Sequence, residues 1–151
     1  MLGPLCRCHS ARLVIYLTRR YSLAAAHVLS QPAFSPAENE RIFGKCANPA
    51  GHGHDYGFEV SVTGPVDAET GQIMAPGLLD EIFEEAVARR FSHRLLNEEA
   101  PFGSLVPTAE NIARVCHEAL AESVKNRSTA RLAQLRVTET PRNFVEKGDL
   151  S

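Results

Sequence analysis

A chain of 151 residues, 44% of them hydrophobic, with a formal net charge of -2, is long enough to bury the core of one domain. The small net charge excludes a protein that works by bulk attraction to nucleic acid or anionic membranes, and no run approaches the ~20 apolar residues of a membrane-spanning helix. Cys6, Cys8, Cys46 and Cys116 have no disulfide-framework spacing, so reduced thiols in a cytoplasmic protein are expected.

The first 37 residues hold no Asp or Glu but include Arg7, Arg12, Arg19 and Arg20, a weak likeness to a transit peptide. Residues 1–12 are read as a disordered leader and 13–151 as a single domain. Cys6-Arg7-Cys8-His9 could be drawn as a metal site, but a ragged terminus is the commoner case. Leu13–His27 reads as a long strand. Val14, Ile15, Tyr16, Leu17 and Thr18 favour β structure, and Tyr21 and Leu23 continue an alternation. Ala24-Ala25-Ala26 implies close approach of another backbone near His27. Pro32 and Pro36 mark a loop, and Ala37–Phe43 a short helical turn leading to Gly44. Asp55–Gly64 is a second strand in which Tyr56, Phe58, Val60 and Val62 alternate with polar or small residues, ended by Gly64-Pro65.

Leu78–Phe91 has the period of a helix, with Leu79, Ile82, Phe83, Ala86 and Val87 inside. Ser92–Pro107 is a long loop. Thr108 is a candidate N-cap for a second helix, whose apolar stripe is Ile112, Val115, Cys116, Ala119, Leu120 and Val124. Leu132–Thr140 and Asn143–Lys147 complete the chain as two strands. The order ββααββ predicts an α+β fold with an antiparallel sheet covered on one face by two helices. The open face and the edges then call for oligomerisation.

His52 and His54 are two residues apart. In an extended segment both side chains leave the same face, an arrangement used for metals. His27, at the end of a neighbouring strand, is the candidate third ligand; three imidazoles leave an open coordination position and suit zinc. Cys46 is either a fourth ligand that closes the site or a base standing off the metal. Glu139 shares a face with Leu135 and Val137. It is either a strand end reaching water or a deliberate acceptor. His93 falls in the long loop, and His117 on a helix flank facing solvent.

Several segments carry a resemblance: Ala25-Ala26-His27, Phe43-Gly44-Lys45-Cys46, Gly51-His52-Gly53-His54-Asp55-Tyr56 and the Asp67–Gly71 turn. It continues in His93 followed by Leu96-Asn97, in Pro107-Thr108-Ala109-Glu110-Asn111 and in Val137-Thr138-Glu139-Thr140. Together they resemble the 6-pyruvoyltetrahydropterin synthase / 6-carboxytetrahydropterin synthase family over about residues 14 to 148. The resemblance implies the tunnelling fold, in which three such sheets close a barrel and two trimers stack into a homohexamer with active sites between subunits. It implies Zn2+ on His27, His52 and His54, with Cys46 as general base. An Asp-His pair, matched here by Ser92 and His93, would assist it. Glu139 would anchor a pterin ring, helped by Thr108 and Ala109. The implied reaction is elimination of triphosphate from 7,8-dihydroneopterin triphosphate to give 6-pyruvoyltetrahydropterin.

Two positions depart from the family pattern. Ser92 stands where the family has Asp; a hydroxyl can orient an imidazole but supplies no charge. Gln72-Ile73-Met74-Ala75-Pro76 replaces a differently composed segment. The five residues between Cys46 and His52, with Asn48-Pro49 among them, look like the pyruvoyl branch. The alternative is the carboxy branch, which serves deazapurine (queuosine) synthesis. A reading of another class is a non-catalytic or weakly active pterin-binding paralogue, suggested by Ser92. Arg19, Arg20, Lys45 and Arg142 are candidates for the triphosphate by charge and position.

Overall fold

In a computed structural model, which describes residues 14–148, the strands Leu17–His27 (β1), His52–Thr63 (β2), Arg131–Thr140 (β3) and Asn143–Gly148 (β4) form one antiparallel sheet. They pair in chain order. The leader expected over residues 1–12, with Cys6, Cys8 and His9, lies outside the described residues, as does Leu13. β1 begins later than its sequence suggests. Its ladder opens at Leu17↔Val62, and the same register would set Val14 against Pro65, which has no N–H to give.

β2 begins three residues earlier than expected. His52 and Gly53 pair with His27 and Ala26, so the two candidate ligands lie on a strand and not in the loop before it. The partner strand, invisible to local propensity, decides this.

Alternation sorts the sheet into two faces. Leu23, Ala25 and His27 of β1 are buried with Tyr56, Phe58, Val60 and Val62 of β2 and Leu135 and Val137 of β3. The opposite face carries one charge ladder across all four strands. Arg20 lies 3.0 Å from Glu59, Glu59 3.7 Å from Arg136, and Arg136 2.7 Å from Glu146.

The helices pack on the apolar face. The first long helix starts at Pro76 (α2, Pro76–Phe83), whose fixed φ suits a first helical turn. It runs through a π-helical turn, Glu84–Ala88, to a closing turn at Arg89–Phe91. The second, Ala109–Arg127 (α3), is capped by Thr108, whose hydroxyl accepts from Asn111 N at 3.3 Å. Leu79, Ile82 and Val87 meet Cys116, Leu120 and Val124 against the sheet in one core. Full burial of each aliphatic side chain contributes ~1.5–3 kcal/mol. Among the described residues no helix is long and apolar enough to cross a membrane.

The expected turn before Gly44 is a short helix of its own, Pro36–Phe43 (α1), closed at its start by a reciprocal Ser35–Glu38 capping box. Gly44 ends it at φ +56, a conformation open to a residue without Cβ. A single 3-10 turn, Gly44–Ala47, follows and carries Cys46.

Candidate active site

The sheet register builds the site. His27 pairs directly with His52, and Ala25 with His54, so the three imidazoles leave the helix-covered face side by side. One ligand nitrogen from each lies within 4.8 Å of the others. His27 Nε2 is 3.1 Å from His52 Nε2. Two nitrogens bound tetrahedrally at 2.0–2.1 Å from one ion stand roughly 3.3 Å apart, so the spacing is that of a shared cation.

The buried end of His27 fixes its tautomer. Nδ1 lies 2.9 Å from the carbonyl oxygen of Pro107, which can only accept, so Nδ1 carries the proton and Nε2 the lone pair. The Tyr56 hydroxyl oxygen, 3.1 Å from the same nitrogen, shares that N–H. His52 Nδ1 and His54 Nε2 are buried without a hydrogen-bond partner among the described residues. Burial holds the pKa of His27 and of His52 below the ordinary value; neutral rings keep their lone pairs for a metal. The donor set, the orphaned nitrogens and the fixed tautomer all fit a divalent ion with nitrogen preference.

The surrounding loops are tied to this end of the sheet. Asn97 clamps the residue after His27 through both its amide groups, accepting from Val28 N at 2.8 Å and donating to Val28 O at 2.9 Å. The Cys46 carbonyl accepts from Leu29 N at 2.8 Å, which pins the cysteine's turn two residues past His27. Gly51 closes the same loop at φ +70, where a Cβ would stand 3.4 Å from the His27 carbonyl. The Cys46 thiol is half-buried; burial, then the Glu139 carboxylate, push its pKa above the ordinary range.

Glu139 sits where the β3–β4 register slips, between Thr138↔Phe144 and Thr140↔Asn143. A bulge re-aims a side chain at a strand end. Asn143 Nδ2 donates to Glu139 Oε2 at 2.8 Å. The other oxygen lies 3.8 Å from His27 Nε2 and 3.9 Å from His54 Nε2. The side chain is 13% exposed. An inward carboxylate beside the imidazoles, not a strand end reaching water, is what the sheet presents.

The remaining candidate residues divide into two groups. Thr108 and Ala109 follow Pro107 directly and so stand at the His27 end, Thr108 half-buried and Ala109 buried. Ser92 ends the helical run, and His93 follows it at φ +58. His93 N donates to Ala24 O at 2.6 Å, and Ala26 N to Arg94 O at 2.9 Å, so residues 93–95 lie along the free edge of β1. This is the backbone approach that Ala24-Ala25-Ala26 implied.

Arg19 and Arg20 are corrected as triphosphate candidates. They lie at the far end of β1, seven or eight residues from His27, which is roughly 25 Å of strand. Arg19 is held by Asp80 at 2.8 Å and Arg20 by Glu59 at 3.0 Å. Lys45 and Arg142 are exposed near the site. His117, placed in solvent by its helix position, is half-buried and engaged.

Sequence reasoning missed Tyr56 and Pro107 as the partners of His27. Tyr56 was within reach, because it continues the His52–His54 alternation. The Pro107 carbonyl lies 80 positions away, and no local pattern points to it.

The fold and the site thus define a sheet-and-helix protein with a cluster of three histidines that could hold a metal ion and a carboxylate beside it. Residues 16–148 match the family model described as 6-pyruvoyl tetrahydropterin synthase, and the chain belongs to that family. It is 35% identical over 137 residues to the 6-pyruvoyl tetrahydrobiopterin synthase of Drosophila melanogaster, covering 90% of this chain and 80% of that one. To the Homo sapiens protein of the same name it is 36% identical over 130 residues, covering 85% and 88%. The solved structure of Caenorhabditis elegans 6-pyruvoyl tetrahydropterin synthase superposes with a TM-score of 0.82 at 32% identity, over 91% of this chain and 96% of that one.

Proposed function

We propose that the protein is a zinc-dependent carbon–oxygen lyase that converts 7,8-dihydroneopterin triphosphate to 6-pyruvoyltetrahydropterin with release of triphosphate. The observation that carries this reading is the Glu139 carboxylate set within 4 Å of two of three clustered imidazoles in a chain of this family.

Each residue has a separable task. Two parallel N–H donors on the pyrimidine edge of a pterin match the two oxygens of Glu139, with Asn143 holding the carboxylate in place. Thr108 and Ala109 help to seat the ring. Cys46 accepts the proton that leaves the substrate side chain, and His93 carries protons to and from that thiol. The electron pair left behind moves into the ring, which takes up a proton and becomes the tetrahydropterin, and the carbon–oxygen bond to the triphosphate breaks as triphosphate leaves. His27, His52 and His54 would hold the divalent ion, which when bound would supply Lewis-acid polarisation and positive charge that favours a thiolate.

Assembly into a homohexamer, a dimer of trimers, belongs to the same reading. The sheet ends at β1, whose edge residues 93–95 cover only beside Ala24 and Ala26, and at β4, and Val14, Ile15 and Tyr16 beside one and Phe144 on the other are exposed.

Incubation of zinc-loaded protein with 7,8-dihydroneopterin triphosphate is expected to release triphosphate and 6-pyruvoyltetrahydropterin together. A 6-carboxytetrahydropterin product would move the chain to the other branch. Ser92 favours the second reading, a pterin-binding paralogue; tight pterin binding without turnover would establish it and overturn the lyase.

A further inference from the structure

We propose that Asn97 is a positioning residue for Cys46, and that its side-chain amide sets where the thiol stands relative to the three imidazoles. It acts through Val28 and Leu29. Its catalytic meaning rests on the lyase reading above; the tie between Asn97 and the Cys46 turn does not.

The β1–β2 ladder ends at His27↔His52, and Val28 and Leu29 run on beyond it. Backbone groups of successive strand residues point to opposite edges. Ala24 O and Ala26 N face the edge of β1 away from β2, where they meet His93 N and Arg94 O. Val28 faces the same way and meets the Asn97 side chain, which accepts from Val28 N at 2.8 Å and donates to Val28 O at 2.9 Å. One amide thus supplies the pairing of a strand at a position past the end of the ladder. Leu29 faces the other way, and its N–H donates to the Cys46 carbonyl oxygen at 2.8 Å. Asn97 and the Cys46 turn therefore grip neighbouring residues of one extended segment from its two edges.

The cysteine's loop leans on this segment twice. After Cys46 it returns at Gly51, where a Cβ would stand 3.4 Å from both the His27 carbonyl oxygen and Val28 Cγ2, and 3.9 Å from Leu95. Movement of Val28 is thus passed to both ends of the loop 46–51. His27 is insulated from the same movement. It has His52 as ladder partner, and the Pro107 carbonyl and the Tyr56 hydroxyl at its Nδ1. Val28 is half-buried, so loss of the donor to its carbonyl favours local opening by roughly 5- to 100-fold. A base must stand within hydrogen-bond reach of the proton it takes, and misplacement by about 1 Å lowers a rate by up to roughly 100-fold. The amide is therefore placed to govern the thiol and not the metal ligands.

The test uses the zinc-loaded protein and the variant Asn97→Asp, which keeps the volume and the acceptor for Val28 N but loses the donor to Val28 O. Two measurements are made. One is steady-state kinetics. The other is the rate at which iodoacetamide alkylates Cys46, followed by peptide mass spectrometry so that the other cysteines are counted apart. Asn97→Asp is expected to lower kcat on the order of 10- to 100-fold, with KM and bound zinc unchanged, and to speed alkylation of Cys46 by roughly 5- to 100-fold. A clamp that serves the fold alone would lower the melting temperature and leave kcat per folded molecule and the alkylation rate at parent values; that result overturns the proposal. Loss of zinc together with kcat also overturns it, by placing the effect at His27. If Asn97→Asp does not fold, the same measurements on Asn97→Ser, whose hydroxyl can keep one of the two hydrogen bonds, decide. If the parent protein turns over no substrate, the lyase reading fails by itself and the alkylation rate still decides the tie between Asn97 and Cys46.

Discussion

The three clustered histidines and His93 reach the same end of the sheet by different routes. The cluster rests on the β1–β2 register, where His27 and His52 face each other as a ladder pair and His54 follows at the next same-face position. His93 rests on a helix end and two backbone hydrogen bonds to a free strand edge. The histidine cluster is therefore built into the sheet itself, with His27 buried in it. His93 is an exposed appendage to that sheet, held by its backbone alone. The departure from the family pattern falls in the second region and not the first.

Removing a ligand gives the largest effect. His54→Ala is expected to abolish stoichiometric metal in the purified protein, read by elemental analysis, while the metal-free form melts as the parent does, since His54 is only half-buried. His27→Ala lacks this clean separation: a fully buried ring disappears and the Pro107 carbonyl loses its donor. Retention of full metal by His54→Ala would make the cluster a set of packed core histidines and remove the contrast with His93.

A smaller effect is expected from the support behind the ligand. Tyr56→Phe removes the hydroxyl 3.1 Å from His27 Nδ1 and keeps the ring's volume. Metal affinity, measured by competition with a chelator, should fall by about 10- to 100-fold, as for other partners of metal-bound imidazoles. An unchanged affinity would leave the Pro107 carbonyl as the sole support.

The far end of β1 provides the smallest effect and an internal control. Arg19 and then Tyr21 hold the Asp80 carboxyl below its ordinary pKa. A depressed carboxylate stabilises the fold above its unfolded pKa, about 4, and that stability is lost as pH falls through the folded value. Asp80→Asn should lower the melting temperature slightly at pH 7, with the difference closing under acid, and leave bound metal untouched. The pair is partly exposed, 42% and 41% for its two side chains, so solvent screens it and the shift is small.

How much of this was legible in the sequence follows from where each interaction lies. His52, His54 and Tyr56 were readable together because a strand's two-residue period is local. Glu139 was visible as a charge on an apolar alternation, though its inward aim depends on a bulge set by pairing with β4. The strand bounds at His52 and Leu17 needed the partner strand. Pro107, Asn97 and the path of residues 93–95 along β1 arise from contacts many positions apart, and no propensity encodes them. Arg19 and Arg20 mislead for a related reason. Charge is local information, but the distance from a strand's one end to the other and the presence of Asp80 and Glu59 are not.

The central claim is that three imidazoles hold the metal while Cys46 stands off it as a base. X-ray absorption of the zinc-loaded protein tests this most directly. The account predicts nitrogen and oxygen neighbours only, at about 2.0–2.1 Å, with an unaltered spectrum in Cys46→Ala and a loss of turnover in that variant. A sulfur neighbour at about 2.3 Å, disappearing in Cys46→Ala, would make the cysteine a ligand and contradict the account.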